Sequence, residues 1–131
     1  MPNKSEHFYK EWFGKAEEDW LSAEVIIKEG GAPSTACFLS QQIAEKYLKG
    51  LLTASGHRFP KIHDLIELEK LLSVKFFEIN ELEEDLKFLN RYYVETRYPG
   101  DYPVFSLKDA HEALAAARRV KEFVLGKIQT T

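Results

Sequence analysis

Apolar residues recur every three or four positions along most of this chain, and its five prolines fall outside the periodic stretches. That spacing places apolar side chains on one face of an α-helix. Proline is excluded from a helix interior because it lacks an N–H and clashes with the preceding turn. Apolar–polar alternation never lasts beyond a few positions, and no Asn-Gly or Asp-Gly hairpin turn is present. The pattern therefore predicts helices and no strands.

The stripes predict five helical segments, four long and one short. They run over Ser5–Glu29, Thr35–Ser55, Asp64–Leu72, Glu81–Arg97 and Leu107–Ile128. Because the connections are short, successive helices are expected to pack antiparallel. The predicted fold is all-α, an up-and-down four-helix bundle with an additional short helix in its second crossover. The length supports a single domain, assigned to residues 1–131.

Residues at the segment ends refine this prediction. Glycine adopts the left-handed conformation at low cost, so Gly30-Gly31 and Gly56 are expected to end the first two helices. Side-chain oxygens often cap helix starts. Such caps are expected at Ser34 or Thr35, at Asn80 with Glu83, and at Ser106 with Asp109. The inward stripes are expected to include Phe8 and Leu107.

Composition excludes several classes of protein. Hydrophobic residues are 44% and charged residues 30% of the chain, a mixture typical of soluble globular proteins. A net charge of −3 argues against coating long duplex DNA through bulk charge. No apolar run approaches the ~20 residues of a membrane span, and the first ten residues are too polar for a secretory signal. The single cysteine, Cys37, fits a reducing, cytoplasmic location.

Metal and cofactor motifs are not found in the sequence. A di-iron bundle needs a Glu three residues before a His on one helix, and none of the four histidines has one. A lone cysteine cannot build a Cys-based zinc cluster. No Gly-rich phosphate loop is present. The expectation is therefore no metal and no cofactor.

A polar group lies on the second predicted helix, otherwise rich in apolar residues. Its members are Gln41, Gln42, Glu45, Lys46 and Lys49. Glu45 and Lys49 are four residues apart, so they can form an ion pair. Either this group is a solvated face, or it makes a packed polar contact with another part of the fold.

A second group, residues 56–64, contains Arg58, Lys61, His63 and Asp64. Together with the two lysines upstream it concentrates positive charge, which suits a small anion such as a phosphate. The alternative is structural. Asp64 would then be a helix-start charge favoured by the helix dipole, and His63 a cap.

A third group, residues 92–102, places Arg97 four residues after Tyr93. One interpretation has Arg97 binding the last carbonyls of its own helix. The other has Arg97, Tyr98 and Tyr102 lining a groove for a nucleotide or RNA, because arginine binds phosphate bidentately and tyrosine stacks on bases.

In this order, the three groups resemble the HEPN family, the higher eukaryote and prokaryote nucleotide-binding domain. The matching residues are Trp12, Ala16, Asp19, Trp20 and Ala23; Phe38, Gln42, Glu45, Lys46, Leu48 and Lys49; His63-Asp64-Leu65; and Tyr93 with Arg97-Tyr98-Pro99. The resemblance implies a helical bundle, usually a homodimer, with the fourth helix and its following turn near a shared groove.

Many members of this family resemble metal-independent ribonucleases, whose motif is an Arg followed after four to six residues by a His. The resemblance carries Arg97 onto the motif arginine. Positions 102–104 hold Tyr102, Pro103 and Val104, so the motif histidine is missing. His63 and His111 remain candidates for a displaced catalytic histidine.

A shorter branch of the family, ending in Arg-Tyr-Pro, resembles the partner of a minimal nucleotidyltransferase in a two-component, toxin–antitoxin-type system. The sequence fits that branch best. The leading hypothesis is thus a nucleotide- or RNA-binding component, with Tyr98 and Tyr102 as candidates for modification by the partner. A structural adaptor ranks second and a ribonuclease with a displaced histidine third.

Overall fold

The structure is a computed structural model that describes residues 8–58, 61–93 and 104–129. Within these ranges the chain forms five α-helices and one 3-10 helix. They are α1 (Tyr9–Glu29), α2 (Pro33–Ala54), α3 (Leu65–Ser73), the 3-10 helix (Phe77–Leu82), α4 (Glu83–Asn90) and α5 (Leu107–Gln129). The predicted all-α bundle is confirmed. No helix in the described part is long and apolar enough to cross a membrane.

Helix α2 is the central element, because α1, α3, α4 and α5 all pack against it. Most of its side chains are buried, including polar ones. The outer helices bury narrower faces rich in small residues. These faces include Ala16 and Ala23 on α1 and Ala110, Ala113, Ala116 and Ala117 on α5. Small side chains let the helices approach α2 closely.

Side chains of α1 pack directly on α2 at Gly50. A Cβ atom at this position would lie 2.4 Å from Cε1 of Phe13. The Phe13 ring also packs on Tyr47, with ring centroids 5.0 Å apart. Packing against Phe13 therefore favours glycine at this position of α2, despite its cost in a helix interior.

Several predicted helix ends are confirmed. Gly30 and Gly56 have φ of 78° and 85°, the left-handed conformation expected at the ends of α1 and α2. At the start of α5, the backbone N–H of Asp109 donates to Ser106 Oγ, 3.1 Å away. Asp109 Oδ2 in turn accepts from the Ser106 N–H at 2.9 Å. This reciprocal cap satisfies two amides that the helix itself cannot bond.

Two predicted caps are wrong. Helix α2 begins at Pro33 after Ala32, without a side-chain cap, because proline at the first position needs no N–H partner. The expected caps at Ser34 or Thr35 are therefore not formed. The Asn80–Glu83 cap is also absent, since α4 follows directly from the 3-10 helix and begins after Leu82.

The fourth predicted helix is shorter than expected. Helix α4 ends at Asn90, and the next amides bond three residues back, with Tyr92 N donating to Leu89 O at 2.9 Å. Tyr92 is buried against Phe88 and Phe105 in edge-on ring contacts. This packing turns the chain before the predicted end. The rest of that segment, residues 94–97, lies outside the described residues.

Two residues placed on inward stripes lie at the surface. Phe8 is 46% exposed and Leu107 is 49% exposed. Phe8 immediately precedes α1, and Leu107 is the first residue of α5. Both residues stand at the very start of a helix, where no earlier turn of that helix packs against the core beside them. The helical period therefore overestimates their burial.

Candidate functional site

Glu45, on α2, is the centre of a buried polar cluster. Its Oε2 accepts a hydrogen bond from Lys49 Nζ at 3.0 Å and lies 3.0 Å from His63 Nδ1. Its Oε1 accepts from Gln41 Nε2 at 3.2 Å. We call Gln41, Glu45, Lys49 and His63 the Glu45 cluster. This part of α2 is a packed polar contact, not a solvated face.

Burial makes the Glu45 cluster sensitive to any loss of a partner. The side chains of Glu45 and Lys49 are each only 5% exposed, and the Lys49 ammonium also lies 5.6 Å from the centre of the Trp12 ring. Gln41 also donates to the carbonyl oxygen of His63 at 3.2 Å. A buried charge needs such pairing, since an uncompensated one is expensive. The cluster therefore fixes both backbone and ring of His63.

The next residue, Asp64, ties the start of α3 to the end of α4. Its Oδ1 accepts from the amide of Ile66 at 2.9 Å and from Asn90 Nδ2 at 2.8 Å. Asn90 Oδ1 accepts from the amide of Leu65 at 2.8 Å. The Asn90 hydrogen bond, followed by those from backbone amides, holds the pKa of Asp64 below its usual value. Asp64 is thus the ionised N-terminal cap of α3, a position that the structural alternative gave to His63.

His63 also contacts Tyr93, the last residue of the described range 61–93. The two rings stack with centroids 4.8 Å apart and planes 14° from parallel. The His63 side chain remains 45% exposed. An open depression of about 450 Å³ adjoins this ring pair, lined by residues 61–64 with Glu67, Asn90 and Tyr93. A stacked aromatic pair with a half-exposed histidine, beside an open depression, is suited to stacking a flat ligand.

The predicted lysines are engaged within the protein. Lys46 Nζ pairs with Asp19 Oδ2 at 2.5 Å, and Lys49 belongs to the Glu45 cluster. Neither lines the depression. Lys61 does line it, and Arg58 is exposed in the preceding connection. The positive charge that the sequence groups together is therefore split between internal ion pairs and the surface.

His111 and His63 line different parts of the surface. It is exposed on α5 and lines two shallow depressions, one facing Glu24 and Lys28 of α1, the other beside Arg118. Neither shares a residue with the depression at His63. The structure brings His63, Asp64 and Tyr93 together, and His111 is not with them. Arg97, Tyr98 and Tyr102 lie outside the described residues.

Sequence reasoning missed Asn90 and Glu67, which both line the depression. Asn90 falls inside the predicted fourth helix, where the periodic pattern gives it no special role. Asparagine is unfavourable inside a helix because its side chain bonds nearby backbone groups. Its presence at position 90 was the one feature of the sequence that could have indicated the end of α4. Over the described ranges, no group of three or more His, Cys, Asp or Glu side chains is arranged to hold a metal ion.

Comparisons with known proteins agree with this architecture. The model of the HEPN domain matches residues 9–128. The crystal structure of TT1696 from Thermus thermophilus is similar, at 31% identity and a TM-score of 0.81, over 92% of this chain and 98% of that one. ST0689, described as an archaeal HEPN homologue, is similar at 31% identity and a TM-score of 0.74, over 92% and 97% of the two chains. No curated protein matches the sequence significantly.

Proposed function

The chain belongs to the HEPN domain family, and from that premise we propose that it is a nucleotide- or RNA-binding component of a two-component, toxin–antitoxin-type system. Its partner in this proposal is a minimal nucleotidyltransferase, and the chain acts as a cytoplasmic homodimer. The observation that supports binding most directly is the stacked His63–Tyr93 ring pair, with His63 half exposed, at the edge of an open depression.

The ring pair is suited to bases because stacking on an aromatic side chain contributes about 1–3 kcal/mol per base, whatever the base. Glu45 and Gln41 already hold His63 in place. Less side-chain entropy is then lost when a ligand binds. In the sequence, Arg97 follows Tyr93 by four residues, and a guanidinium binds phosphate bidentately. The base would thus be bound at Tyr93 and the phosphate at Arg97, four residues later in the same segment.

Isothermal titration with nucleoside monophosphates and short single-stranded RNAs tests this proposal. We expect binding by the native chain, loss of about tenfold or more in His63→Ala, since a stacked base is lost, and a similar loss in Arg97→Ala. His111→Ala, an exposed histidine in another depression, is the matched control and should bind normally. Absence of binding to every probe would overturn the proposal and leave the structural adaptor.

One observation favours a second function, a metal-independent ribonuclease with a displaced histidine. The contact between Glu45 Oε2 and His63 Nδ1 is the arrangement in which a carboxylate orients a histidine for proton transfer. This alternative predicts RNA cleavage in the presence of a chelator, abolished by His63→Ala and unaffected by His111→Ala. Intact RNA after prolonged incubation with the native protein would exclude it.

A further inference from the structure

The two ring nitrogens of His63 have different surroundings. Nδ1 lies 3.0 Å from Glu45 Oε2, and a carboxylate can only accept hydrogen bonds. Nδ1 therefore carries a proton and donates it to Glu45, which leaves the lone pair of the neutral ring on Nε2. Within the described residues Nε2 makes no hydrogen bond, and the side chain is 45% exposed. The nitrogen with the lone pair is thus the accessible one.

The carboxylate that holds Nδ1 is itself fixed by buried partners. Lys49 Nζ and Gln41 Nε2 donate to the two oxygens of Glu45, and the side chains of Glu45 and Lys49 are each only 5% exposed. A carboxylate on one ring nitrogen orients a histidine and makes the other nitrogen a better electron-pair donor. It also stabilises the positive charge that the ring gains when that nitrogen forms a bond. This is the arrangement of an oriented nucleophile.

Donors for a phosphoryl group lie in the depression that His63 lines. Lys61 contributes an ammonium. Asn90 keeps one amide N–H, because only its other one is given to Asp64 Oδ1. Both groups can donate to phosphoryl oxygens. Asp64 and Glu67 also line the depression, and their negative charges favour loss of the group, so the modified state is expected to be short-lived.

We propose that His63 is a phosphorylation site, at which Nε2 accepts a phosphoryl group from an activated donor such as an acyl phosphate or a phosphoramidate. The lone pair of Nε2 forms the bond to phosphorus. The bond from phosphorus to the leaving group breaks, and its electron pair departs with that group. Nδ1 keeps its proton, and the charge on the ring is paired with Glu45. This inference goes beyond the proposed function, since it requires no nucleotide.

Potassium phosphoramidate, which releases ammonia when it transfers its phosphoryl group, is the probe. His57 and His111 are also exposed, but neither has a carboxylate within hydrogen-bond distance among the described residues. Exposure alone therefore predicts similar rates for the three histidines. We expect His63 to be modified about tenfold faster than the other two, an effect of the size that a carboxylate partner has on a histidine. Intact mass measures the rate, and fragmentation locates the group. Its loss in brief acid and survival in base identify the P–N bond.

The double variant Glu45→Gln with Lys49→Met tests the part played by the carboxylate, because it removes that group without leaving a buried ammonium behind. The rate at His63 should fall to that at His111 in this variant, once circular dichroism shows that it is folded. His111→Ala is the matched control and should leave the rate at His63 unchanged. The imidazole ¹H–¹⁵N spectrum of the native chain provides a readout that needs no variant, and it should show the proton of neutral His63 on Nδ1.

Fast modification of His63 that the double variant loses supports the proposal. Equal rates at the three histidines overturn it. A fast rate at His63 that the double variant retains also overturns it, because exposure then accounts for the reaction. A neutral His63 with its proton on Nε2 overturns it independently of the variants, since the accessible nitrogen would then have no lone pair to give. The probe contains no nucleotide, so each of these results is distinct from the outcome of the nucleotide and RNA titrations.

Discussion

Glu45 Oε2 and His63 Nδ1 lie 3.0 Å apart although 18 residues separate them in the sequence. The carboxylate is buried in α2, and the imidazole is half exposed in the connection before α3. This contact joins the interior of the bundle to the depression at His63. Glu45 therefore connects the stability of the bundle to the position of His63, which makes it the first residue to test.

Glu45→Gln should destabilise the protein strongly. The substitution leaves the Lys49 ammonium buried without its carboxylate, and breaking such a pair costs about 3–5 kcal/mol. Urea denaturation would measure the loss in the free energy of unfolding.

The double variant Glu45→Gln with Lys49→Met is the control for this prediction. Removing both charges avoids an uncompensated ion, and methionine keeps the apolar stem that packs near Trp12. It should be clearly more stable than the single variant. If both variants lose the same stability, burial of the lysine charge is not the cause.

Gly50→Ala should destabilise the α1–α2 contact. The new methyl group would lie 2.4 Å from Phe13 Cε1, so the ring must shift and its packing on Tyr47 is disturbed. Overpacking of this kind costs about 1–3 kcal/mol. Thermal and urea denaturation would both detect it.

Gly14→Ala is the matched control, because a Cβ atom at Gly14 meets nothing within 4 Å and the residue lies inside α1. Alanine should raise stability there by up to about 1 kcal/mol through helix propensity. A stabilising effect of alanine at both positions would show that Phe13 adjusts without cost.

Glu69 should make the free energy of unfolding fall as the pH rises. This is the opposite of the effect of a carboxyl group whose pKa is lowered in the folded protein. Burial, and then the charge of Glu83, raises the pKa of this carboxyl. The folded protein thus holds this proton more tightly than the unfolded chain, whose pKa is about 4.3. The contribution of Glu69 is full below that pH and is lost as pH rises through the raised folded-state value.

Glu69→Gln removes this titration. It should unfold at a higher urea concentration than the native chain at pH 7, and the difference should narrow towards pH 4. Glu81 is exposed in the 3-10 helix, so Glu81→Gln should unfold at the same urea concentration as the native chain at both pH values. If the difference in urea midpoint between Glu69→Gln and the native chain is the same at pH 4 and pH 7, the role assigned to the Glu69 charge is contradicted.

Cys37 should be chemically inert in the folded protein. The thiol is fully buried, and burial, followed by the charge of Asp109, raises its pKa to about 11. The thiolate, which is the reactive form, is therefore scarce at pH 8. A colorimetric disulfide reagent should label the chain slowly in buffer and rapidly in urea. Rapid labelling in buffer would show that α2 opens locally.

The sequence was informative about the fold because helical period and glycine stops are local properties. The stripes placed five helices, and Gly30 and Gly56 ended two of them as predicted. The end of α4 was missed because it depends on tertiary packing. Tyr92 is buried between Phe88 and Phe105, and Phe105 is distant in sequence.

Part of the site was predictable because some of its features are also local in the sequence. His63 and Asp64 were found because they stand beside a helix start, and the Glu45–Lys49 pair has a local spacing of four. The contacts of His63 with Glu45 and Tyr93, and of Asp64 with Asn90, join different elements. Only packing of α2, α3 and α4 brings them together. Lys46 was expected to attract a ligand, and its partner Asp19, on α1, could not be assigned from spacing alone.

The most direct test of a ligand site at His63 is the imidazole ¹H–¹⁵N correlation spectrum, recorded while single-stranded RNA is added. The account predicts that the ring resonances of His63 shift progressively to saturation, while those of the exposed His111 stay in place. Binding of RNA that leaves the His63 resonances unmoved, or that shifts those of His111 instead, would contradict it.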